Sequence, residues 1–86
     1  MIREDVRSLM EKTGVIPAIR VSTPADALFA AEAVASGGIP IVEITLTVPG
    51  AIDVIAHLKR YASGLIVGAG TVWDNDTAQQ IGRAHV

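Results

Sequence analysis

The 86-residue chain contains no cysteine, so neither a disulfide framework nor a thiolate metal site can stabilise it. Only three of its residues are aromatic, so a core has to be built from the alanine and aliphatic residues that dominate the apolar half of the sequence. Seven Lys and Arg residues stand against nine Asp and Glu residues, with no run of like charge. This balance argues against nucleic acid or an anionic membrane as a partner and favours a small molecule or a protein.

Long apolar runs are also missing. No stretch reaches the about 18 residues of a transmembrane helix, and the first residues lack the apolar segment of a signal peptide. We therefore expect a cytoplasmic protein. A chain of this length buries about 60% of its unfolded surface, which predicts one small domain and excludes two.

Three short apolar runs predict strands. They start near positions 15, 41 and 65, at intervals of 26 and 24 residues, and each interval is long enough for one strand, one helix and two loops. This repeat predicts consecutive βαβ units with a parallel sheet, and therefore an α/β fold. The predicted strands are residues 15–21, 39–46 and 65–69.

Helices are predicted before and between the strands. Residues 4–13 carry apolar side chains at helical spacing and end at Gly14, a residue suited to a left-handed cap. Thr23 and Pro24 are typical of the cap and the first position of a second helix. Pro49 is expected to open a third helix in the same way.

Glu43 and Arg20 are charged residues within otherwise apolar strands. Alternation along the second strand places Glu43 on the face opposite Val42 and Ile44, which are expected to meet the helices. A carboxylate in such surroundings suits a general base that works near neutral pH. Arg20, at the end of its strand, could bind a substrate carboxylate or phosphate through paired hydrogen bonds. The sequence equally allows a structural ion pair between Arg20 and Glu43.

A glycine-rich segment, residues 68–71, follows the third apolar run. Its two glycines would allow the backbone to approach a ligand closely, and Thr71 offers a hydroxyl group. A tight turn from strand to helix explains the glycines equally well. The segment is not a dinucleotide fingerprint, because the third glycine of that motif would fall at Trp73.

Three other polar residues are predicted to lie on helix surfaces rather than in a site. His57 stands beside charged residues, with no second ligand at metal spacing. Lys12 and Lys59 have polar helical surroundings, which do not favour a desolvated, nucleophilic amine.

Three segments carry a family resemblance: GVIPAIR (residues 14–20), GGIPIVEITLTVP (37–49) and VGAGTV (67–72). Over about residues 5–79 the chain resembles the N-terminal part of the 2-keto-3-deoxy-6-phosphogluconate (KDPG) and 4-hydroxy-2-oxoglutarate (KHG) aldolases. The resemblance implies a cytoplasmic class I aldolase with a TIM-barrel, (β/α)₈, fold, of which this chain would supply a leading helix and the first three βα units. It also implies a homotrimer that acts in carbohydrate breakdown of the Entner–Doudoroff type and needs no metal and no cofactor.

The same resemblance implies roles for four residues. Glu43 is the expected general acid/base, while Arg20, Thr47 and Thr71 are expected to bind the pyruvate half of a keto-acid substrate. Many members have Arg where this chain has Thr47, so Arg20 would carry more of the carboxylate binding. In such enzymes a lysine condenses with the substrate ketone, and the iminium accepts electrons when the carbon–carbon bond breaks. Glu43 would move the protons, the first of them through a water.

The chain is expected to be a fragment of such an enzyme. The resemblance places the Schiff-base lysine on the sixth strand and the phosphate site near the seventh and eighth, whereas a barrel needs about 200 residues or more. We therefore expect residues 1–80 to form a partial barrel without aldolase activity of its own. Residues 81–86 break the helical apolar spacing and match the translation of a common sequencing adapter, so we expect a non-native tail there.

Two other functions are compatible with these residues. One is a different phosphate-binding TIM-barrel enzyme, such as a thiamine-phosphate synthase or an isomerase, in which the glycine-rich segment would bind phosphate. The other is an inactive partial barrel. The segment EITLTVP (residues 43–49) favours the aldolase.

Overall fold

A three-stranded parallel sheet lies at the centre of the structure, a computed structural model that describes residues 3–85. The elements are α1 (Arg3–Thr13), β1 (Ala18–Ile19), α2 (Pro24–Ser36), β2 (Ile41–Thr45), α3 (Ala51–Tyr61), β3 (Ile66–Gly70) and α4 (Asn75–Ala84). The sheet order β1-β2-β3 follows the chain order, and a helix follows each strand. This arrangement confirms the predicted α/β fold with parallel strands.

The two faces of the sheet differ as the alternation in β2 predicts. Val42 and Ile44 are fully buried in the cluster that joins the sheet to α2 and α3, whereas Glu43 is half-buried on the other face. Two small residues of α2, Ala27 and Ala31, are also fully buried and let this helix lie close to the sheet. The core consists of Ile19, Ala27, Ala31, Val42, Ile44, Val48, Ala51, Val54, Ile55, Leu58, Leu65 and Val67.

The start of α2 follows the predicted capping pattern. The Thr23 side chain accepts a hydrogen bond from the backbone N–H of Asp26 at 3.1 Å, and Pro24 occupies the first helical position. Both predictions are confirmed. No helix within residues 3–85 is both long and apolar enough to cross a membrane.

β1 is much shorter than the predicted strand at residues 15–21. Only Ala18 and Ile19 pair with β2, because Pro17 has no N–H to donate and the residues before it are exposed. The Pro17 carbonyl still accepts a hydrogen bond from the N–H of Glu43 at 2.9 Å. β1, an edge strand with a partner on one side only, is therefore two residues long.

The third helix begins at Ala51, so the prediction that Pro49 opens it is wrong. Gly50 precedes the helix with a φ of +69°, a left-handed conformation that interrupts helical geometry. The chain first turns back on itself: the N–H of Val48 bonds the carbonyl of Thr45 at 3.0 Å. Pro49 therefore belongs to the turn that leads from β2 into α3.

α4 runs from Asn75 to Ala84 and so includes residues 81–84, although the apolar spacing of the sequence is broken there. Ala84 packs against the core, and the His85 ring lies over the helix end. Its Nδ1 is 3.0 Å from the carbonyl oxygen of Ile81, and its Nε2 is 2.7 Å from that of Val67 in β3. The non-native origin of residues 81–86 stays a prediction, and residue 86 lies outside the residues that the structure describes.

Asp74 caps the N-terminus of α4, and the contribution of this cap to stability depends on pH. Its Oδ1 accepts the N–H of Thr77 at 2.7 Å, and this backbone hydrogen bond, with the Thr77 side chain, lowers the pKa of Asp74 below 3.8. The folded pKa lies below the unfolded value, so the charged cap stabilises the helix above pH 3.8 and loses this effect as the pH falls through the folded pKa.

We therefore expect Asp74→Asn, which keeps an acceptor oxygen and removes the charge, to lower the urea midpoint of the full-length protein at neutral pH. The difference from the unmodified chain should shrink as the pH falls below 3.8. Asp76→Asn, in the same helical turn, is the matched control. A difference that persisted unchanged in acid would contradict the role of the Asp74 charge.

Candidate active site

The four residues expected to form the site lie near one edge of the sheet. Arg20 directly follows β1, Thr71 directly follows β3, and Thr47 follows the end of β2 by two residues. Glu43 lies within β2, two residues before its end. Because all three strands run parallel, their carboxyl ends meet at the same edge, where α/β proteins bind ligands.

Glu43 presents its carboxylate on the face of the sheet opposite Val42 and Ile44, which pack in the core cluster. Its backbone N–H is bonded to the Pro17 carbonyl, and its register partners are Ala18 on β1 and Gly68 on β3. The side chain leans toward Gly70, so closely that a Cβ built on Gly70 would lie 2.7 Å from the Glu43 carboxyl carbon. The carboxylate is therefore directed toward the carboxyl edge of the sheet.

Arg20 is exposed and does not neutralise Glu43. Among residues 3–85 no ion pair joins the two side chains, and the ion pair that does form, Arg7 to Glu11 at 3.2 Å, lies on the exposed surface of α1. The structural ion pair between Arg20 and Glu43 that the sequence allowed is thus not made. Both charges are left available for a ligand.

Thr47 is held by a second threonine, Thr45, to which no sequence pattern assigns a role. The two hydroxyl oxygens of Thr45 and Thr47 are 2.6 Å apart, and the buried Thr45 hydroxyl donates to the Ile19 carbonyl of β1 at 3.1 Å. A hydroxyl has one proton, so the proton of this short bond comes from Thr47. Thr47 therefore faces a ligand as an acceptor, which does not suit a carboxylate.

Thr71 has a left-handed backbone, with a φ of +60°. This conformation costs about 1–2 kcal/mol in an L-residue other than glycine and is uncommon for a β-branched one. Such strain concentrates at functional sites, where the surrounding structure holds it in place. In this chain it directs the polypeptide away from β3 directly after Gly70, so the Thr71 side chain lies at the carboxyl edge.

The glycine-rich segment lies mostly inside β3 rather than in a turn. Gly68 and Gly70 are strand residues that pair with Glu43 and Thr45 of β2. A tight connection from strand to helix is therefore not the reason for these two glycines. Their positions beside Glu43 follow from the strand register, which cannot be read from one segment alone.

The three polar residues predicted to lie on helix surfaces do lie there. His57 is exposed and contacts Tyr61 in a tilted arrangement, with ring centroids 4.8 Å apart. Lys12 and Lys59 are exposed as well. Within the part of the chain that the structure describes, no three His, Asp or Glu side chains are grouped closely enough to hold a metal ion.

Comparison with known proteins decides the family. The sequence profile of the KDPG and KHG aldolases matches residues 6–86. The chain belongs to this aldolase family. The 2-dehydro-3-deoxy-phosphogluconate aldolase of Zymomonas mobilis is 38% identical over 81 residues, which cover 91% of this chain and 38% of the relative. The KHG/KDPG aldolase of Escherichia coli K12 is 33% identical over 70 residues, which cover 81% of this chain and 33% of the relative.

A solved structure agrees with the sequence comparison. The crystal structure of the 2-keto-3-deoxy-6-phospho-gluconate aldolase from Zymomonas mobilis superimposes with a TM-score of 0.79 at 35% identity. The match covers 92% of this chain and 38% of that one. The present chain thus spans about a third of the length of the relatives that it matches.

Proposed function

We propose that the chain is the N-terminal part of a class I, Schiff-base aldolase that forms pyruvate. The proposed substrates are 2-dehydro-3-deoxy-6-phosphogluconate, cleaved to pyruvate and glyceraldehyde 3-phosphate, and 4-hydroxy-2-oxoglutarate, cleaved to pyruvate and glyoxylate. The observation that carries the proposal is the half-buried carboxylate of Glu43, which makes no ion pair among residues 3–85 and lies on the sheet face opposite the core cluster in a member of this family.

The proposed fold of the complete enzyme is a TIM barrel, to which this chain contributes the first three βα units. The parallel order β1-β2-β3, with a helix after each strand, is the arrangement that such a barrel repeats. Barrel enzymes carry their chemistry at the carboxyl ends of the strands, which is where Arg20 and Thr71 lie. The face of the sheet that carries Glu43 would then become the barrel interior.

In the proposed reaction a lysine amine attacks the substrate ketone, and water leaves to form an iminium. Glu43 accepts the proton of the substrate hydroxyl through a water, and the electrons of the breaking carbon–carbon bond move into the iminium to give an enamine. The aldehyde departs. Glu43 then returns a proton to the enamine carbon, and water releases pyruvate from the lysine.

The lysine is proposed to lie outside residues 1–86. Lys12 and Lys59 are exposed on α1 and α3, and an amine in water lacks the desolvation that activates a Schiff-base lysine. The substrate carboxylate is proposed to bind Arg20, because Thr47 has its proton directed to Thr45. Thr71 supplies a further hydroxyl at the same edge.

The test is to express the full-length enzyme and treat it with pyruvate and borohydride, which reduces an iminium to a stable amine. We expect one pyruvoyl-derived adduct on a lysine downstream of residue 86, together with pyruvate release from one or both proposed substrates. Turnover without a trapped adduct would contradict the Schiff-base mechanism. A trapped adduct without cleavage of either substrate would contradict the substrate assignment alone.

Replacing Arg20 tests the carboxylate-binding role. Arg20→Ala in the full-length enzyme should raise the KM of the keto acid by about 10- to 150-fold, since a charged hydrogen bond is worth about 1.5–3 kcal/mol. Arg20→Lys keeps the positive charge but lacks the planar guanidinium group, so its KM should lie between those of the unmodified enzyme and Arg20→Ala. Steady-state kinetics measure the effect. An unchanged KM together with a large loss of stability would assign Arg20 to the fold instead of the substrate.

A further inference from the structure

Gly70 lies directly against the Glu43 side chain, and we infer that it is a positioning residue for the proposed general base. A Cβ built on Gly70 would overlap Glu43 Oε1 and would lie 2.7 Å from its Cδ and 3.2 Å from its Cγ. Carbon atoms in ordinary contact are about 3.5–4.0 Å apart. Only a glycine at position 70 is therefore compatible with this orientation of Glu43.

No conformational requirement of the backbone explains this glycine. Its φ is not among the positive values of the chain, so any residue could adopt its strand geometry. Glycine in the middle of a strand is otherwise unfavourable, and its usual reason is the close approach of another group. In this structure the approaching group is the carboxylate.

The neighbouring glycine on the same face shows that the contact is specific. Gly68 is the direct register partner of Glu43, yet a Cβ built there would meet only the Val42 carbonyl oxygen, at an ordinary 3.9 Å. The Glu43 side chain thus passes Gly68 and occupies the space above Gly70, two residues nearer to the carboxyl edge. Gly68 is consequently a matched control for Gly70.

A side chain at position 70 would displace the carboxylate rather than the strand. The carbonyl oxygen of Gly70 accepts the N–H of Leu46 at 2.8 Å, which holds β3 against β2. The Glu43 carboxylate makes no ion pair among residues 3–85, so rotation about the side-chain bonds can relieve the overlap without breaking the strand pairing. A methyl group at position 70 would therefore turn the carboxylate away from the carboxyl edge.

The inference rests on the proposed function, so the experiment uses the full-length aldolase and separates the two. We expect Gly70→Ala to lower kcat by about 10²-fold, as a displacement near 1 Å does, with KM changed less than about threefold. Borohydride trapping of pyruvate should persist, while exchange of the pyruvate methyl protons with deuterated water falls by a similar factor. Gly68→Ala should leave Glu43 in place and retain kcat within about threefold.

A double variant tests whether Gly70 acts through Glu43. In the Glu43→Gln background, Gly70→Ala should cost less than about twofold in kcat, because the group that it positions is already lost. Crystal structures of the single variants should show the Glu43 carboxylate moved by Gly70→Ala only. Losses that multiply in the double variant, or an unmoved Glu43 with wild-type turnover, would overturn the inference. Wild-type turnover in Glu43→Gln itself would overturn the proposed function instead.

Discussion

Glu43→Gln in the full-length enzyme is expected to lower kcat by about 10²–10⁴-fold, the usual contribution of a positioned acid or base. The amide fills the same space above Gly70 and carries no proton-accepting oxygen of comparable basicity. Formation of the iminium with pyruvate depends mainly on the lysine and should persist. Loss of turnover with retained trapping by borohydride would place the defect in proton transfer.

The matched control for this substitution is Glu32→Gln, which makes the same chemical change on the exposed surface of α2. It should leave kcat and KM unchanged. Exchange of the pyruvate methyl protons gives a second readout, because it needs the enamine and an acid/base but no carbon–carbon cleavage. Normal turnover in Glu43→Gln would show that another group is the base.

The 86-residue chain by itself is expected to have no detectable aldolase activity and to self-associate. Because the amines of Lys12 and Lys59 are exposed, we expect neither to form an iminium with pyruvate that borohydride could reduce. The sheet has two open edges, β1 and β3, and unpaired N–H and carbonyl groups at such edges pair with other chains. A core this small, without a disulfide or a metal, adds little stability to oppose that association.

Light scattering and urea unfolding measure this expectation directly. Ile66→Lys places a charge on the edge strand β3, on the same face as Glu43, and should shift the mass distribution toward the monomer. A monomeric chain with a cooperative urea transition would contradict the open-edge argument. A pyruvate adduct on either lysine would contradict the placement of the nucleophile outside residues 1–86.

Local rules in the sequence are sufficient to predict most of the fold. Thr23 and Pro24 specify the start of α2 through one side-chain hydrogen bond and a fixed φ, and both act within three residues of chain. The alternation in β2 is equally local and correctly places Glu43 on the face opposite Val42 and Ile44. The predicted length of β1 is wrong because a distant partner decides it: this strand is limited by what β2 can pair with.

The residues proposed for the candidate site come from the sequence, whereas their contacts could not be predicted from it. A charged residue in an apolar strand identifies Glu43, whereas its neighbour Gly70 depends on the register and on the rotamer of one side chain. The hydrogen bond from Thr45 to the Ile19 carbonyl joins residues 26 positions apart, and no spacing in the sequence predicts it. This bond also redirects the proton of Thr47 and so changes the role expected of that residue.

The hydrogen bonds at the carboxyl edge of the sheet make backbone opening there slow, while side-chain rotation stays fast. The Thr45 hydroxyl ties β2 to Ile19, and the N–H of Leu46 ties β2 to Gly70, so the ends of all three strands must separate for the edge to open. Such opening is a local unfolding event, which is far slower than rotation of an exposed side chain. Under the proposed function, an arriving substrate would therefore meet a nearly rigid backbone, and the exposed side chain of Arg20 would adjust to it within nanoseconds.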